Sequence, residues 1–169
     1  MRSILTAALL GLCVSTASAA PFLRTKASFI TSSFCKVHSC KLVAKVPSDR
    51  LDQFHYDVDG SQRVVVWRVT SDQKRRWGPE NAKYVGIVHG VSMVWYGIQD
   101  TPGGIEKLLA QLVTFATGKA ATPEIVSKWF ASNLDFNENW GDSYISATTE
   151  NYPGGNALIW TMMIDLRGR

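Results

Sequence analysis

The chain has 169 residues, 46% of them hydrophobic and only 19% charged, a balance that excludes an intrinsically disordered or low-complexity protein. Its formal charge of +4 is small and its acids and bases are interspersed, which excludes the concentrated basic face of a dedicated nucleic-acid binder. Six tryptophans are many for this length, and most are expected in the core, where aromatic rings dominate burial.

The N-terminus reads as a secretory signal over residues 1–19. Arg2 supplies the positive end, Ile4 to Val14 is apolar apart from Thr6 and Gly11, and Ala17-Ser18-Ala19 places small residues before a cut after Ala19. An apolar run of about eleven residues rises ~16 Å as a helix against a hydrocarbon core of ~30 Å, too little to span. Lipid attachment at Cys13 is excluded by the bulky Leu12 before it. The expectation is an exported protein, periplasmic or extracellular, with no transmembrane segment after signal removal. The mature part, residues 20–169, is long enough for a single domain burying roughly 70% of its unfolded surface. It loses one charge with the signal, leaving 17 basic against 14 acidic residues.

Cys35 and Cys40 remain in the stretch Cys35-Lys36-Val37-His38-Ser39-Cys40. In an oxidising compartment they are expected to form a disulfide. On one straight strand they would lie ~16 Å apart, whereas bridged Cα atoms approach within ~7 Å, so a bridge requires a turn at Val37 to Ser39. Closing so short a loop contributes roughly 2 kcal/mol in the chain-entropy treatment. The alternative is a metal site of two thiolates and the His38 imidazole, for which no fourth ligand can be assigned. No cofactor-binding motif occurs, and no cofactor is expected.

Lys41 to Val46, Gln53 to Val58 and Gln62 to Val69 are β-prone, with an Asp59-Gly60 hairpin signal between the last two. Lys74-Arg75-Arg76-Trp77 is the densest basic cluster, and its aromatic neighbour could stack on a base or sugar; as a loop it reads as solvated. Tyr84 to Ile98 is apolar on both faces, as a central strand is. Fifteen extended residues would reach ~50 Å in a domain whose radius of gyration is ~15 Å, so this strand must bend or split near Gly90. His89 shares the face of Val85, Ile87, Val91, Met93 and Trp95, which predicts a buried, hydrogen-bonded histidine, or else a pocket acid or base. Gly86, Gly90 and Ser92 leave room on the other face for a closely packed helix or a ligand.

Thr101-Pro102 starts a helix whose stripe is Ile105, Leu108, Leu109, Leu112, Val113 and Ala116, ended by Gly118. Thr122-Pro123-Glu124 starts a second, with Ile125, Val126, Trp129 and Phe130 apolar. After a polar stretch from Asp135 to Asp142, Ser143 to Glu150 and Asn156 to Leu166 read as a hairpin turning over Tyr152 to Gly155. Strands, then two helices, then strands predict an α+β fold: an antiparallel or mixed sheet with helices on one face.

Catalytic motifs are only approached. Gly90-Val91-Ser92-Met93-Val94 lacks the second glycine of a nucleophile elbow, and Ser71-Asp72-Gln73-Lys74 lacks the companion motifs of acylating enzymes. Asp135, Asn137 and Asn139 alternate like calcium ligands, but Trp140 and Ser146 stand where that loop needs Gly and Glu, so a polar loop is expected there. The leading expectation is a non-enzymatic binding or interaction module for an unidentified ligand or protein partner. The alternatives are a small hydrolase using His38, His55 or His89 with a distant carboxylate, and a binder of anionic glycan, lipid or nucleic acid through residues 74–77. Candidate site residues are therefore His89, Arg75, Arg76 and Trp77, beside the Cys35–Cys40 bridge.

Overall fold

A computed structural model of the chain describes residues 20–70, 79–98, 105–132, 136–151 and 157–166. The signal segment, the Arg75-Arg76-Trp77 cluster, Ser71 to Lys74, Asp135 and the Tyr152 to Gly155 turn lie outside these. Among the described residues the chain forms one seven-stranded antiparallel sheet and three α-helices, the expected α+β class. The order is helix α1 (Ser33–Val37), strands β1 (Cys40–Val46), β2 (Leu51–Val58), β3 (Gln62–Val69) and β4 (Val88–Ile98), helices α2 (Glu106–Thr117) and α3 (Pro123–Ser132), then β5 (Phe136–Trp140), β6 (Ser143–Asn151) and β7 (Ala157–Leu166). Across the sheet the strands run β1-β2-β3-β4-β7-β6-β5. The N-terminal meander thus meets the C-terminal one at the β4–β7 pair, where Val91 faces Ile164 and Met93 faces Met162.

Local sequence accounts for most of these elements. Asp59 and Gly60 both take positive φ, 49° and 77°, as the central pair of the turn that the Ser61 N–H closes on the Val58 carbonyl. Gly118 caps α2 at φ 70°, its N–H donating to the Thr114 carbonyl. Thr122 caps α3, whose observed start at Pro123 is the expected one. The expected start of α2 at Pro102 lies outside the described residues.

One face of the sheet carries the core. Val64, Val66, Val91, Met93, Met162, Ile164 and Ile145 lie along facing registers and are buried. Above them α2 brings Leu109, Leu112, Val113 and Ala116, and α3 brings Val126, Trp129 and Phe130. The β1–β3 half of that face is covered by the segment before α1. Its Phe29 ring packs on Tyr56 at 4.8 Å between centroids and on Phe22, Phe34 and Phe115 at 5.7–5.9 Å. The same segment pairs through its backbone: the Arg24 N–H donates to the Val88 carbonyl, the Val88 N–H donates to the Thr25 carbonyl, and Phe22 and Leu23 donate to the Phe115 and Ala116 carbonyls. Those two bonds satisfy carbonyls that the end of α2 leaves without helical partners.

The structure corrects four expectations. The polar stretch from Asp135 to Asp142 is not simply a loop, because residues 136–140 form the edge strand β5. Phe136 is buried and Trp140 half-buried while Asn137, Glu138 and Asn139 between them are exposed, so only the two ends of the run carry a strand signal and the residues between rarely favour strands. The long strand begins only at Val88, after a 3-10 helix over Pro79–Tyr84 and a turn at Gly86 with φ 80°. Its pairing with β3 shifts register between Trp67 and Arg68, where Gly90 and then Val88 are the partners. The shift lets Val88 join Val91 in the core and leaves His89 half-buried rather than on the buried face. Finally, Gly90 and Ser92 do not receive a helix, since the two expected helices, α2 and α3, lie on the other face. Gly90 is small because β7 comes close: a Cβ there would stand 3.2 Å from the Ile164 carbonyl oxygen.

Leu112 is fully buried between α2 and the sheet. Its truncation to Ala is expected to lower unfolding free energy by about 3 kcal/mol. The same truncation at the exposed edge residue Val43 should cost less than about 0.5 kcal/mol. Urea denaturation of the two variants checks the contrast.

Candidate functional site

Cys35 and Cys40 are bridged, with Cα atoms 5.1 Å apart, and the chain turns between them as that approach demands. The bridge joins α1 to the start of β1. Ser32 accepts from the Cys35 N–H at the head of α1, and Phe34 points from α1 into the core. With both sulfurs in the bridge, the alternative metal site has no thiolates to offer.

His38, inside this loop, is held from both sides. Its Nδ1 lies 2.7 Å from Asp59 Oδ2 and its Nε2 lies 2.9 Å from Gln111 Oε1 on α2. Asp59 is the first residue of the β2–β3 turn, and its second oxygen accepts from the Ser39 N–H at 3.0 Å. The β1–β2 register, with Cys40 opposite Val58, is what sets residues 38 and 39 beside Asp59. Both ring nitrogens face oxygens, and which of them donates depends on the tautomer. Turning the Gln111 amide over would let the neutral ring accept instead.

Between α1 and α2 lies an open groove of about 500 Å³. Phe34, Val37 and His38 form one wall. The other is the α2 stripe Lys107, Ala110, Gln111 and Thr114, whose i, i+3, i+4, i+7 spacing keeps one face toward the groove. Ala121 and Pro123 close the far end beside Phe115. The concavity exists because Ala110 and Ala121 are short where their neighbours are long. Thr114 adds little polarity, since its hydroxyl accepts from the Ala121 N–H at 2.9 Å. Val37 stands at the rim with 73% of its surface exposed. A second cavity of about 280 Å³, near Arg24 and Asp142, is spanned by their 3.5 Å ion pair.

The other histidines stand elsewhere. His55 is on β2, on the face turned away from the helices, with Nε2 3.2 Å from Gln53 Oε1. Burial lowers its pKa and Arg63 adds to the effect. His89 stands beside Asp165, on β7, whose pKa is raised by burial and partly brought back by the His89 charge. Trp67 donates to Ser92 at 3.2 Å on that same outer face. The described candidate site residues thus fall in two places, the bridge beside the groove and His89 on the far side of the sheet.

An imidazole and a distant carboxylate do converge, at His38 and Asp59, as the hydrolase alternative requires. The position a nucleophilic hydroxyl would take at Nε2 is held by the Gln111 amide, so the pair acts as a brace between α1, the turn and α2. Sequence reasoning passed over Lys107, Gln111 and Asp59. Asp59 was visible only as a turn former, and its second role depends on strand register. No family model matches the chain, and no curated protein or solved structure matches it either.

Asp165 provides a test of the outer face. Because its folded-state pKa lies above the ordinary 3.8, the folded protein holds this proton to higher pH than the unfolded chain. The associated stability is complete below about pH 3.8 and is lost as pH rises through the folded value. Asp165→Asn is therefore expected to match the wild type in urea midpoint near pH 3 and to exceed it near pH 7. An unchanged difference across that range would refute the assignment.

Proposed function

We propose that this protein is an exported, non-enzymatic binding module and that its ligand enters the groove between α1 and α2. The observation that carries the reading is the groove itself: a concave, mostly apolar site of about 500 Å³ with a few convergent polar groups at one side. Its volume falls within the ~300–1,000 Å³ range usual for small-molecule pockets. The Cys35–Cys40 bridge and the absence, among the described residues, of a helix long and apolar enough to cross a membrane accord with export.

Hydrolysis is the second reading, favoured by the 2.7 Å approach of His38 to Asp59. It would require Gln111 to leave Nε2 and a hydroxyl to arrive. Ester turnover abolished by His38→Gln would support it over binding alone.

Protein recovered from its host's exported fraction is expected to begin at Ala20 and to enhance the fluorescence of the neutral dye Nile red, saturating near one equivalent. Ala121→Phe places a ring in the groove while keeping the backbone bond to Thr114. It should weaken dye binding at least about tenfold, roughly the 1.4 kcal/mol that one obstructed apolar contact is worth, with an unchanged circular dichroism spectrum. Equal dye binding by the variant would place the ligand site elsewhere, and an intact Met1 would overturn the export reading.

A further inference from the structure

Charge at the groove is one-sided. Among the described residues, Lys107 is the one Lys or Arg that lines it, and no carboxylate does. Asp59, the acid behind His38, is engaged by the Ser39 N–H and by the ring. Glu106 precedes Lys107 but lies off the groove-facing stripe of α2, and Glu124 beyond Pro123 is engaged with Thr122. Lys107 forms no ion pair among the described residues. Its aliphatic stem can line the apolar cavity while its ammonium stays at the mouth, the usual arrangement of a long cationic side chain.

From this charge complementarity we infer that the ligand is an amphiphile with a single carboxylate head, its apolar chain in the groove against Phe34, Ala110 and Ala121 and its carboxylate at Lys107. The inference rests on the binding reading above and deepens it. One ammonium beside an amide suits a monoanion. A phosphate dianion would ask for more donors than the mouth presents, since phosphate sites are built from guanidinium forks or runs of backbone N–H groups. A cationic amphiphile would meet Lys107 with like charge.

Displacement of Nile red from the purified protein at low salt, by decanoate, decanol and decylammonium in parallel, tests the inference. Decanoate is expected to displace the dye at concentrations roughly three- to tenfold lower than decanol, a range set by a partly exposed ion pair with a charge-assisted hydrogen bond. Decylammonium should be the weakest. Lys107→Met should bring the decanoate-to-decanol ratio to about one and Lys107→Arg should preserve it, while Lys128→Met, on the exposed side of α3, should leave the ratio as in the wild type. Added salt should shrink the ratio. Equal affinity for the three compounds, a preference for decylammonium, or a ratio untouched by Lys107→Met would overturn the carboxylate assignment and leave the groove reading standing. Failure of all three to displace the dye would overturn the inference together with the groove reading.

Discussion

The aromatic cluster centred on Phe29 is the contact on which the rest of the arrangement depends. Helices α2 and α3 cover only part of a seven-stranded sheet, and the β1–β3 half of the core face needs another cover. The segment from Phe22 to Phe34 supplies it, with Phe29 fully buried among Phe22, Phe34, Tyr56 and Phe115. Five rings withdrawn from water contribute on the order of 10 kcal/mol before entropy is counted, comparable to the net stability of a small domain. Arg68 reinforces the segment by donating to the Ala27 and Gly86 carbonyls while its guanidinium lies 5.9 Å from the Phe22 ring centroid. The first residues after the expected signal are therefore structural, not a tail.

That cluster also explains why a groove exists. Helix α1 has five residues, far too few to persist alone, and three ties hold it: Phe34 in the cluster, the bridge to β1, and His38 between Asp59 and Gln111. The disulfide's loop is so short that its entropic contribution is only about 2 kcal/mol, far less than the cluster contributes. Its main consequence is local, fixing where His38 and Val37 stand relative to α2. A wall held in this way, facing a helix whose stripe includes Ala110, leaves space that the core does not fill.

Much of the architecture could be read from local sequence, and the candidate site could not. The Thr122 cap of α3, the left-handed end of α2 at Gly118, the Asp59-Gly60 turn and the short Cys35–Cys40 loop are each set by residues within a few positions of one another. Strand β5 was obscured because Asn137, Glu138 and Asn139 carry weak strand preference, and its pairing with β6 overrides that preference. Strict alternation puts His89 on the buried face, and the register shift opposite Trp67 and Arg68 breaks that alternation one residue away. The His38–Asp59–Gln111 set joins a loop, a turn and a helix over separations of 21 and 73 residues. Such a set follows from strand register and helix placement, neither of which is written in any one segment.

Amide chemical-shift mapping by NMR, during titration with a neutral apolar dye, locates a bound ligand relative to the proposed site between α1 and α2. The largest shifts are expected at residues 33–38, 107–115 and 121–123. Shifts concentrated on the opposite face of the sheet, around Trp67, Ser92 and Asp165, would contradict it.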